Sequence, residues 1–311
     1  MKKIAYLFAG QGSQYVGMGK DLYDHSPSAR EIFALADGEL GYSLSSLCFE
    51  GPQEELDKTE NTQPAILAVS IAAYQALSAE GIVPAVVAGL SLGEYSALVC
   101  SGVLDFAEAV KLVQKRGRFM QEAVPQGVGG MAAILGLETA KVEKACQGAQ
   151  GVGVVQVANY NCPGQVVISG ETQALELAAA KAKELGAKRV IPLPVSGPFH
   201  TELLKPAAAR LAQELATLEL EEPRIPVIAN VTADYFKDAA EIRDLLPKQV
   251  MSPVKWEMTI RKMLAAGVDT FIEIGPGNAL RGFVKKIERQ ANLLNVEDTE
   301  SLAKTIDFLN K

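Results

Sequence analysis

The stretch GLSLGEY, residues 89–95, contains a serine whose spacing from two glycines could serve nucleophilic catalysis. It matches the pattern G-x-S-x-G, in which the serine lies on a sharp turn between a strand and a helix with its hydroxyl exposed. An apolar run precedes the stretch and an amphipathic segment follows it, as that arrangement requires. In a chain with 27 glycines the pattern could also arise by chance. The flanking elements favour Ser91 as a nucleophile.

A serine nucleophile needs a base, and the chain contains two histidines. His200 follows the last strand of a predicted small domain, at the start of a helix, where a cleft between domains would lie. His25 lies in a polar, turn-like segment that is typical of a protein surface. The sequence therefore predicts His200 as the base. No acidic residue is marked as its partner, and a carbonyl group could orient the imidazole instead.

Two loops could supply the backbone N–H groups that stabilise an oxyanion. Leu92 directly follows the serine, and Gln11 lies between two glycines in the loop after the first predicted strand. The same loop contains G-x-G, the beginning of a dinucleotide-binding motif, but Tyr15 occupies the third glycine position. The nucleotide interpretation is therefore weak, and neither a cofactor nor a metal is expected.

An arginine in the predicted helix 105–123 indicates what kind of substrate the site would take. Apolar or small residues recur there at helical spacing: Phe106, Val110, Val113, Gly117 and Met120. Arg116 lies about 60° from the centre of this buried stripe at 100° per residue. A partly buried arginine requires an anionic partner. That partner could be an internal Asp or Glu, or a substrate carboxylate held by two hydrogen bonds.

Short strands that alternate with helices predict an α/β fold with a mainly parallel sheet, similar to that of the α/β hydrolases. Residues 3–8, 83–88 and 269–274 are mainly apolar, as expected for strands that are buried on both faces. Helical patterns are found at residues 62–79, 92–100, 105–123, 201–218 and 253–266.

The middle of the chain has a different order of elements. Residues 127–195 read strand, helix, strand, strand, helix, strand, which is the βαββαβ order of the ferredoxin-like fold. We therefore expect a small domain of residues 127–195 inserted into a large domain of residues 1–126 and 196–311. The cleft between two such domains is a natural ligand site.

Composition narrows the class of protein. A net charge of −7 disfavours nucleic-acid binding. The apolar run near the N-terminus is too short for a signal peptide, and no run approaches the ~20 residues of a membrane span, so a cytoplasmic protein is expected. Without paired C-x-x-C spacing, the four cysteines are expected to be reduced core residues: Cys48, Cys100, Cys146 and Cys162.

Taken together in this order, the motifs of the chain resemble those of a known family. They are GQGSQ (10–14), LDKTENTQPAI (56–66), GLSLGEY (89–95), Arg116, ANYNCPGQVVISG (158–170), PLPVSGPFH (192–200), SPVKW (252–256) and EIGPG (273–277). Over nearly the whole chain they resemble the malonyl-CoA:acyl-carrier-protein transacylases, free-standing acyltransferases of bacterial-type fatty acid synthesis.

The resemblance implies a ping-pong reaction. Ser91 would take the malonyl group from malonyl-CoA as a malonyl-serine, and the phosphopantetheine thiol of acyl carrier protein would then receive it. His200 would be the base in both half-reactions, while the backbone amides of Leu92 and Gln11 would bind the oxyanion.

Further roles follow from the same resemblance. Arg116 matches the family arginine that binds the malonyl carboxylate, and a main-chain carbonyl near Gln249 would orient the histidine. Asn159 would line the site. Phe199, directly before the histidine, resembles malonyl-selective relatives and argues against a methylmalonyl preference.

Three rival functions remain: a trans-acting acyltransferase of a polyketide synthase, a serine thioesterase or esterase, and a carrier-binding module without activity. Because carrier proteins are typically acidic, docking should use basic residues despite the negative net charge. The sequence does not choose between two basic groups, or between docking and simple solvated charge: Lys188 and Arg189, or Arg281, Lys285 and Lys286.

Overall fold

The computed structural model describes residues 2–125, 127–195 and 197–311. Its strands are β1 Ile4–Phe8, β2 Val86–Gly89, β3 Gly129–Leu135, β4 Val155–Cys162, β5 Gln165–Glu171, β6 Arg189–Pro192, β7 Thr270–Ile274 and β8 Asn292–Val296. Its helices are α1 Lys20–His25, α2 Pro27–Leu40, α3 Leu44–Glu50, α4 Gln53–Leu56, α5 Thr59–Ser78, α6 Gly93–Cys100, α7 Phe106–Glu122, α8 Thr139–Gln147, α9 Thr172–Glu184, α10 Lys205–Leu215, α11 Ala239–Gln249, α12 Trp256–Ala265, α13 Ala279–Ile287 and α14 Thr299–Leu309.

The first sheet is parallel, with the strand order β2-β1-β7-β8. Alternate residues of β1 enter two different cores, which is why the strand reads as apolar throughout. Tyr6 packs in the core that contains α5 and α6, whereas Leu7 packs with Trp256 of α12 on the other face. The predicted α/β fold is confirmed.

The second sheet is antiparallel, with the order β4-β5-β3-β6. This is the order of the ferredoxin-like fold that the sequence predicts. Ile134 faces a small core with α8 and α9, whereas Met131 and Val167 face the large core. The predicted domain boundaries fall at Gln126 and Ser196, which lie outside the described residues, so the boundaries stay a prediction.

Four predicted elements begin three or four residues away from their predicted start. The helices predicted from residues 62 and 253 begin at Thr59 and Trp256, and prolines are next to the other two starts. Val83 is 70% exposed, and β2 begins only at Val86, because Pro84 has no N–H to donate to a sheet. The helix predicted from residue 201 begins at Lys205, after a 3-10 turn at Glu202–Leu204. A proline in the first turn fits this later start, since its missing N–H is not needed there.

Two further observations bear on the predicted class of protein. The four cysteines are buried and unpaired, as the sequence predicts. Within residues 2–125, 127–195 and 197–311, no helix has both the length and the apolar character that crossing a bilayer requires.

Candidate active site

The backbone at Ser91 makes the sharp turn that the G-x-S-x-G pattern predicts. Ser91 has a φ of 53°, in the left-handed region that non-glycine residues rarely adopt. A Cβ on Gly89 would lie 1.9 Å from the carbonyl carbon of Gly93, and a Cβ on Gly93 would lie 2.2 Å from the carbonyl oxygen of Phe8. Both positions therefore require glycine, and the strain at Ser91 is of a kind that clusters at active sites.

Two side-chain amides hold this strained turn. Asn230 accepts a hydrogen bond from the Ser91 N–H at 2.7 Å and donates one to the Gly89 carbonyl at 2.8 Å. Gln249 donates from Nε2 to the Ser91 carbonyl at 2.9 Å. Asn230 and Gln249 are both fully buried. The nucleophile is thus bonded on both its amino and its carbonyl side.

His200 contacts the serine hydroxyl directly, with 2.8 Å between Nε2 and Ser91 Oγ. Its Nδ1 lies 2.9 Å from the Gln249 carbonyl and 3.1 Å from the Ser252 carbonyl. Because carbonyl oxygens only accept hydrogen bonds, the ring proton belongs on Nδ1 and leaves Nε2 free to accept from the serine. The histidine is thus oriented by carbonyls, as the resemblance implies, and Ser252 is an addition to that expectation.

The imidazole is uncharged near neutral pH. The pKa of His200 is lowered to about 4, chiefly by burial and to a smaller extent by the positive charge of Arg116, against the opposing effect of the two carbonyls. A neutral imidazole can take a proton from the serine hydroxyl. The other histidine, His25, has a side chain that is 63% exposed, as the sequence predicts.

Arg116 is 1% exposed and reaches the same serine oxygen. One terminal nitrogen, Nη2, lies 3.2 Å from Ser91 Oγ and 2.9 Å from Gln249 Oε1, while Nη1 donates to Gln63 Oε1 at 2.7 Å. These partners are uncharged, and no ion pair joins Arg116 to an acid among the described residues. Its Nε is buried without an acceptor there. The internal salt bridge that the sequence left open is therefore absent from the described structure.

Ser91 and His200 line a cleft between the two sheets. The large domain contributes Gln11 and Phe199 to its walls, and the small sheet contributes Asn159, Val167 and Leu193. The cleft thus lies where the sequence predicts a ligand site. Leu92 is fully buried next to the serine.

The two predicted oxyanion donors remain available for a ligand. In the part of the chain that the structure describes, neither the Leu92 N–H nor the Gln11 N–H has a protein acceptor. The loops that carry them touch, since a Cβ on Gly10 would lie 2.4 Å from the Leu90 carbonyl oxygen. Two unpaired N–H groups on adjoining loops can bind a developing negative charge.

Three buried polar residues of the site did not emerge from the sequence. Gln63 lies within a quoted motif, and Glu94 is part of GLSLGEY itself, but neither has a spacing that indicates chemistry. Asn230 has no local signal at all, since it reaches the serine from 139 residues away. Their common property is contact with the Ser91 turn or with Arg116, which only the fold reveals.

The two basic groups that were candidates for docking lie at the same end of the small sheet. Arg189 pairs with Leu135, which pairs in turn with Gln165, so these three side chains share one face. Lys286 of α13 donates to Gln165 Oε1 at 2.9 Å. Arg189 and Lys286 therefore lie at the same end of the small sheet.

Comparison with known proteins gives one family. A family model for the acyl transferase domain matches residues 5–305. A malonyl CoA-acyl carrier protein transacylase of Bacillus subtilis is 51% identical over 312 residues, which cover 100% of this chain and 98% of the relative. The protein of the same name from Escherichia coli K12 is 47% identical over 309 residues, covering 99% of this chain and 100% of the relative.

Solved structures agree with the sequence relatives. An acyl carrier protein S-malonyltransferase from Vibrio cholerae superposes with a TM-score of 0.95 at 48% identity, covering 98% of this chain and 100% of that one. A malonyl-transacylase in complex with a type II PKS acyl-carrier protein gives a TM-score of 0.96 at 45% identity, covering 99% and 100%.

Proposed function

The chain belongs to the malonyl-CoA:acyl-carrier-protein transacylase family of acyltransferases, and we propose that it transfers malonyl from malonyl-CoA to the phosphopantetheine thiol of acyl carrier protein for fatty acid elongation. One observation carries the proposal: the Ser91 hydroxyl contacts both a base, His200, and a buried cation, Arg116. A single methylene separates the malonyl carboxylate from its thioester carbonyl. A group that binds this carboxylate must therefore lie beside the nucleophile, as Arg116 does.

The first half-reaction loads the serine. As Ser91 Oγ attacks the thioester carbonyl carbon, its proton passes to His200 Nε2. The carbonyl oxygen becomes an oxyanion that the N–H groups of Leu92 and Gln11 bind. When the tetrahedral intermediate collapses, the carbon–sulfur bond breaks and the leaving thiolate of coenzyme A receives the proton from His200.

The second half-reaction runs the same steps with a different thiol. His200 takes the proton of the phosphopantetheine thiol, and the thiolate attacks the malonyl-serine ester. Collapse of the second intermediate breaks the carbon–oxygen bond and returns the proton to Ser91. Protein groups and two thiols are sufficient for this chemistry, so the proposal includes no cofactor or metal, and we place the reaction in the cytoplasm.

The hydrogen bonds of Arg116 position it to hold the malonyl carboxylate during both half-reactions. Gln63 holds its Nη1 and Gln249 its Nη2. The Nε–H, which has no protein acceptor among the described residues, and the Nη2 donor that now reaches Ser91 are then available for two parallel hydrogen bonds. A serine esterase has no need of such a group, which favours the transferase.

A polyketide carrier is the second candidate acceptor, because a relative with 45% identity forms a complex with a type II PKS acyl-carrier protein. Transfer rates to the fatty-acid carrier and to isolated polyketide carriers of the host separate the two functions. Faster transfer to a polyketide carrier would replace the fatty-acid assignment and leave the chemistry unchanged.

Intact-mass measurement tests the chemistry itself. Mixing the protein with malonyl-CoA should add one malonyl group, and Ser91→Ala should abolish this adduct. An adduct that persists in Ser91→Ala would place the nucleophile elsewhere. Hydrolysis of malonyl-CoA without carrier at the rate of transfer with carrier would make the protein a hydrolase.

A further inference from the structure

Glu94 is a carboxyl group buried directly behind the nucleophile, and the reaction described above does not use it. It lies in the first turn of α6 and is fully buried. Its Oε2 accepts a hydrogen bond from the Asn230 N–H at 2.8 Å, while its Oε1 has no partner among the described residues. A carboxylate with one unsatisfied oxygen is costly in such a place, so its presence calls for a reason.

Arg116 supplies that reason, because its positive charge is also buried and its hydrogen-bond partners are all uncharged. The charge of Arg116 acts on Glu94 and favours its ionised form. Both groups adjoin Ser91: Arg116 Nη2 lies 3.2 Å from Ser91 Oγ, and Glu94 Oε2 accepts from the N–H of Asn230, whose side chain accepts from the Ser91 N–H. Glu94 therefore balances the charge of Arg116 without touching it.

The other titratable groups around Glu94 do not change charge near neutral pH. Burial raises the pKa of Tyr95, its neighbour on α6, and keeps the phenol neutral. His200, from the segment before α10, has a pKa of about 4 and is also neutral. Asn230 and Gln249 do not titrate. Glu94 and Arg116 are thus the charges of this buried cluster, and only Glu94 can lose its charge.

Burial raises the pKa of Glu94 to about 7, against the lowering effects of the Asn230 N–H, Gln249 and Arg116. A second carboxylate at Arg116 would change this balance. It would share the positive charge that favours ionised Glu94 and would add a negative charge nearby. Both effects raise the pKa of Glu94 further, so that the group binds a proton.

We propose that Glu94 is the resident counter-charge of Arg116, and that it takes up a proton from solvent when the malonyl carboxylate binds to that arginine. The inference rests on the proposed function. Before binding, at a pH above 7, the cluster holds one positive and one negative charge. Afterwards Arg116 pairs with the malonyl carboxylate and Glu94 is a neutral acid, so the buried cluster remains neutral overall. An uncharged acyl group gives no such uptake.

Proton uptake during malonylation is directly measurable. In weakly buffered solution with a pH indicator, wild-type protein mixed with malonyl-CoA should take up about half a proton per malonylated serine at pH 7, where Glu94 is half ionised, and close to one at pH 8. The thiol of released coenzyme A stays mostly protonated near pH 7 and contributes little. Glu94→Gln should abolish the uptake, because the amide oxygen that it introduces still accepts from the Asn230 N–H but carries no charge.

Glu273 is the matched control. It also lines the cleft, and burial raises its pKa to about 7 as well, but both its oxygens accept backbone N–H groups of α13. Glu273→Gln should leave the uptake intact. Uptake that vanishes in Glu273→Gln and persists in Glu94→Gln would overturn the assignment.

A second measurement does not depend on the folding of Glu94→Gln. Calorimetric titration of Ser91→Ala in two buffers of different ionisation enthalpy gives the number of protons bound with each ligand. Malonyl-CoA should bind with proton uptake and acetyl-CoA without it. Equal proton numbers for the two ligands would overturn the inference.

Failure of the inference and failure of the proposed function give different results. If no malonyl adduct forms on Ser91, the proposed function is wrong. If the adduct forms but wild type and Glu94→Gln show the same proton balance, only the role of Glu94 is wrong. A structural role of Glu94 alone would lower malonyl and acetyl transfer equally in Glu94→Gln and leave no difference in proton uptake.

Discussion

Gly89 lies so close to Gly93 across the turn at Ser91 that Gly89 has no room for a side chain. A methyl group on Gly89 would lie 1.9 Å from backbone atoms of Gly93, and backbone atoms cannot move aside as the end of a flexible side chain can. The two glycines thus set the distance between the end of β2 and the start of α6.

Gly89→Ala should therefore destabilise the protein by about 3 kcal/mol or more, since overpacking against backbone leaves little means of relief. Chemical denaturation measures the change in the free energy of unfolding. The control is Gly38→Ala in α2, where an added Cβ meets nothing within 4 Å. That variant should gain about 0.5–1 kcal/mol from helix propensity. Equal effects of the two substitutions would contradict this account of the turn.

Arg116→Ala should lower malonyl transfer about a hundredfold more than transfer of an acetyl group, because two charge-assisted hydrogen bonds to the second carboxylate are lost. Values of kcat/KM for the two acyl-CoA substrates measure this selectivity. Lys115→Ala is the matched control, since the neighbouring side chain is 42% exposed and pairs with Glu214. If Arg116→Ala lowers both transfers alike, the arginine is part of the scaffold.

The reactivity of Ser91 should persist well below neutral pH. Because the pKa of His200 is lowered to about 4, the base stays neutral until the pH approaches that value. Labelling of Ser91 by a fluorophosphonate probe, which carries no malonyl carboxylate, should decline only near pH 4. Arg116→Leu removes a positive charge that lowers this pKa and should move the decline to higher pH. A decline near pH 6.5 in wild type would contradict the buried, neutral imidazole.

The lowered pKa of His200 also predicts how the free energy of unfolding depends on pH. The unfolded chain binds a proton at a histidine near pH 6.5, whereas folded His200 resists protonation until about pH 4. The contribution of neutral His200 to the free energy of unfolding is therefore fully present above pH 6.5 and is lost as the pH falls from there towards 4. His200→Gln should show a smaller loss of unfolding free energy over this interval than wild type.

Carrier recognition should depend on the basic residues at one end of the small sheet, Arg189 and the adjoining Lys286 of α13. Lys286→Glu and Arg189→Glu should each raise the KM for acyl carrier protein, by about tenfold, because they place negative charge where an acidic partner approaches. Transfer to free pantetheine as a small thiol acceptor should be unaffected. Lys304→Glu, on a 71% exposed side chain of α14, is the control. An unchanged KM in both Lys286→Glu and Arg189→Glu would place docking elsewhere.

Strong local signals predicted the parts of the fold and site that depend on nearby residues. The periodicity of α7 placed Arg116 beside the buried stripe, and the structure buries it almost completely. The Ser91 turn followed from glycine spacing between a strand and a helix. The sequence patterns missed the edge strand β8 and the helices α1 to α4, α11, α13 and α14. Of these, β8, α1, α3 and α4 have seven residues or fewer, which is too short for a clear periodic pattern.

Long-range contacts account for most of what the sequence left undetermined in the site. Asn230 could not be predicted because an asparagine in a loop is usually a turn residue, and only the fold brings it to Ser91. The partner of Arg116 stayed open because helix periodicity gives the direction of a side chain and not its contacts. The Ser252 carbonyl near His200 has no side-chain signal at all.

Backbone hydrogen bonds join the small sheet to the segment around Val254 along the edge that β4 forms. The Tyr160 N–H donates to the Val254 carbonyl at 2.9 Å, and the Val254 N–H donates to the Ala158 carbonyl at 2.8 Å, so β4 is fastened beside the carbonyl that orients His200. At the opposite edge, β6 pairs only with β3 in the described structure. Val254 follows Ser252, whose carbonyl lies 3.1 Å from His200 Nδ1, by only two residues. One short backbone segment therefore joins the edge of the small sheet to the orientation of the base.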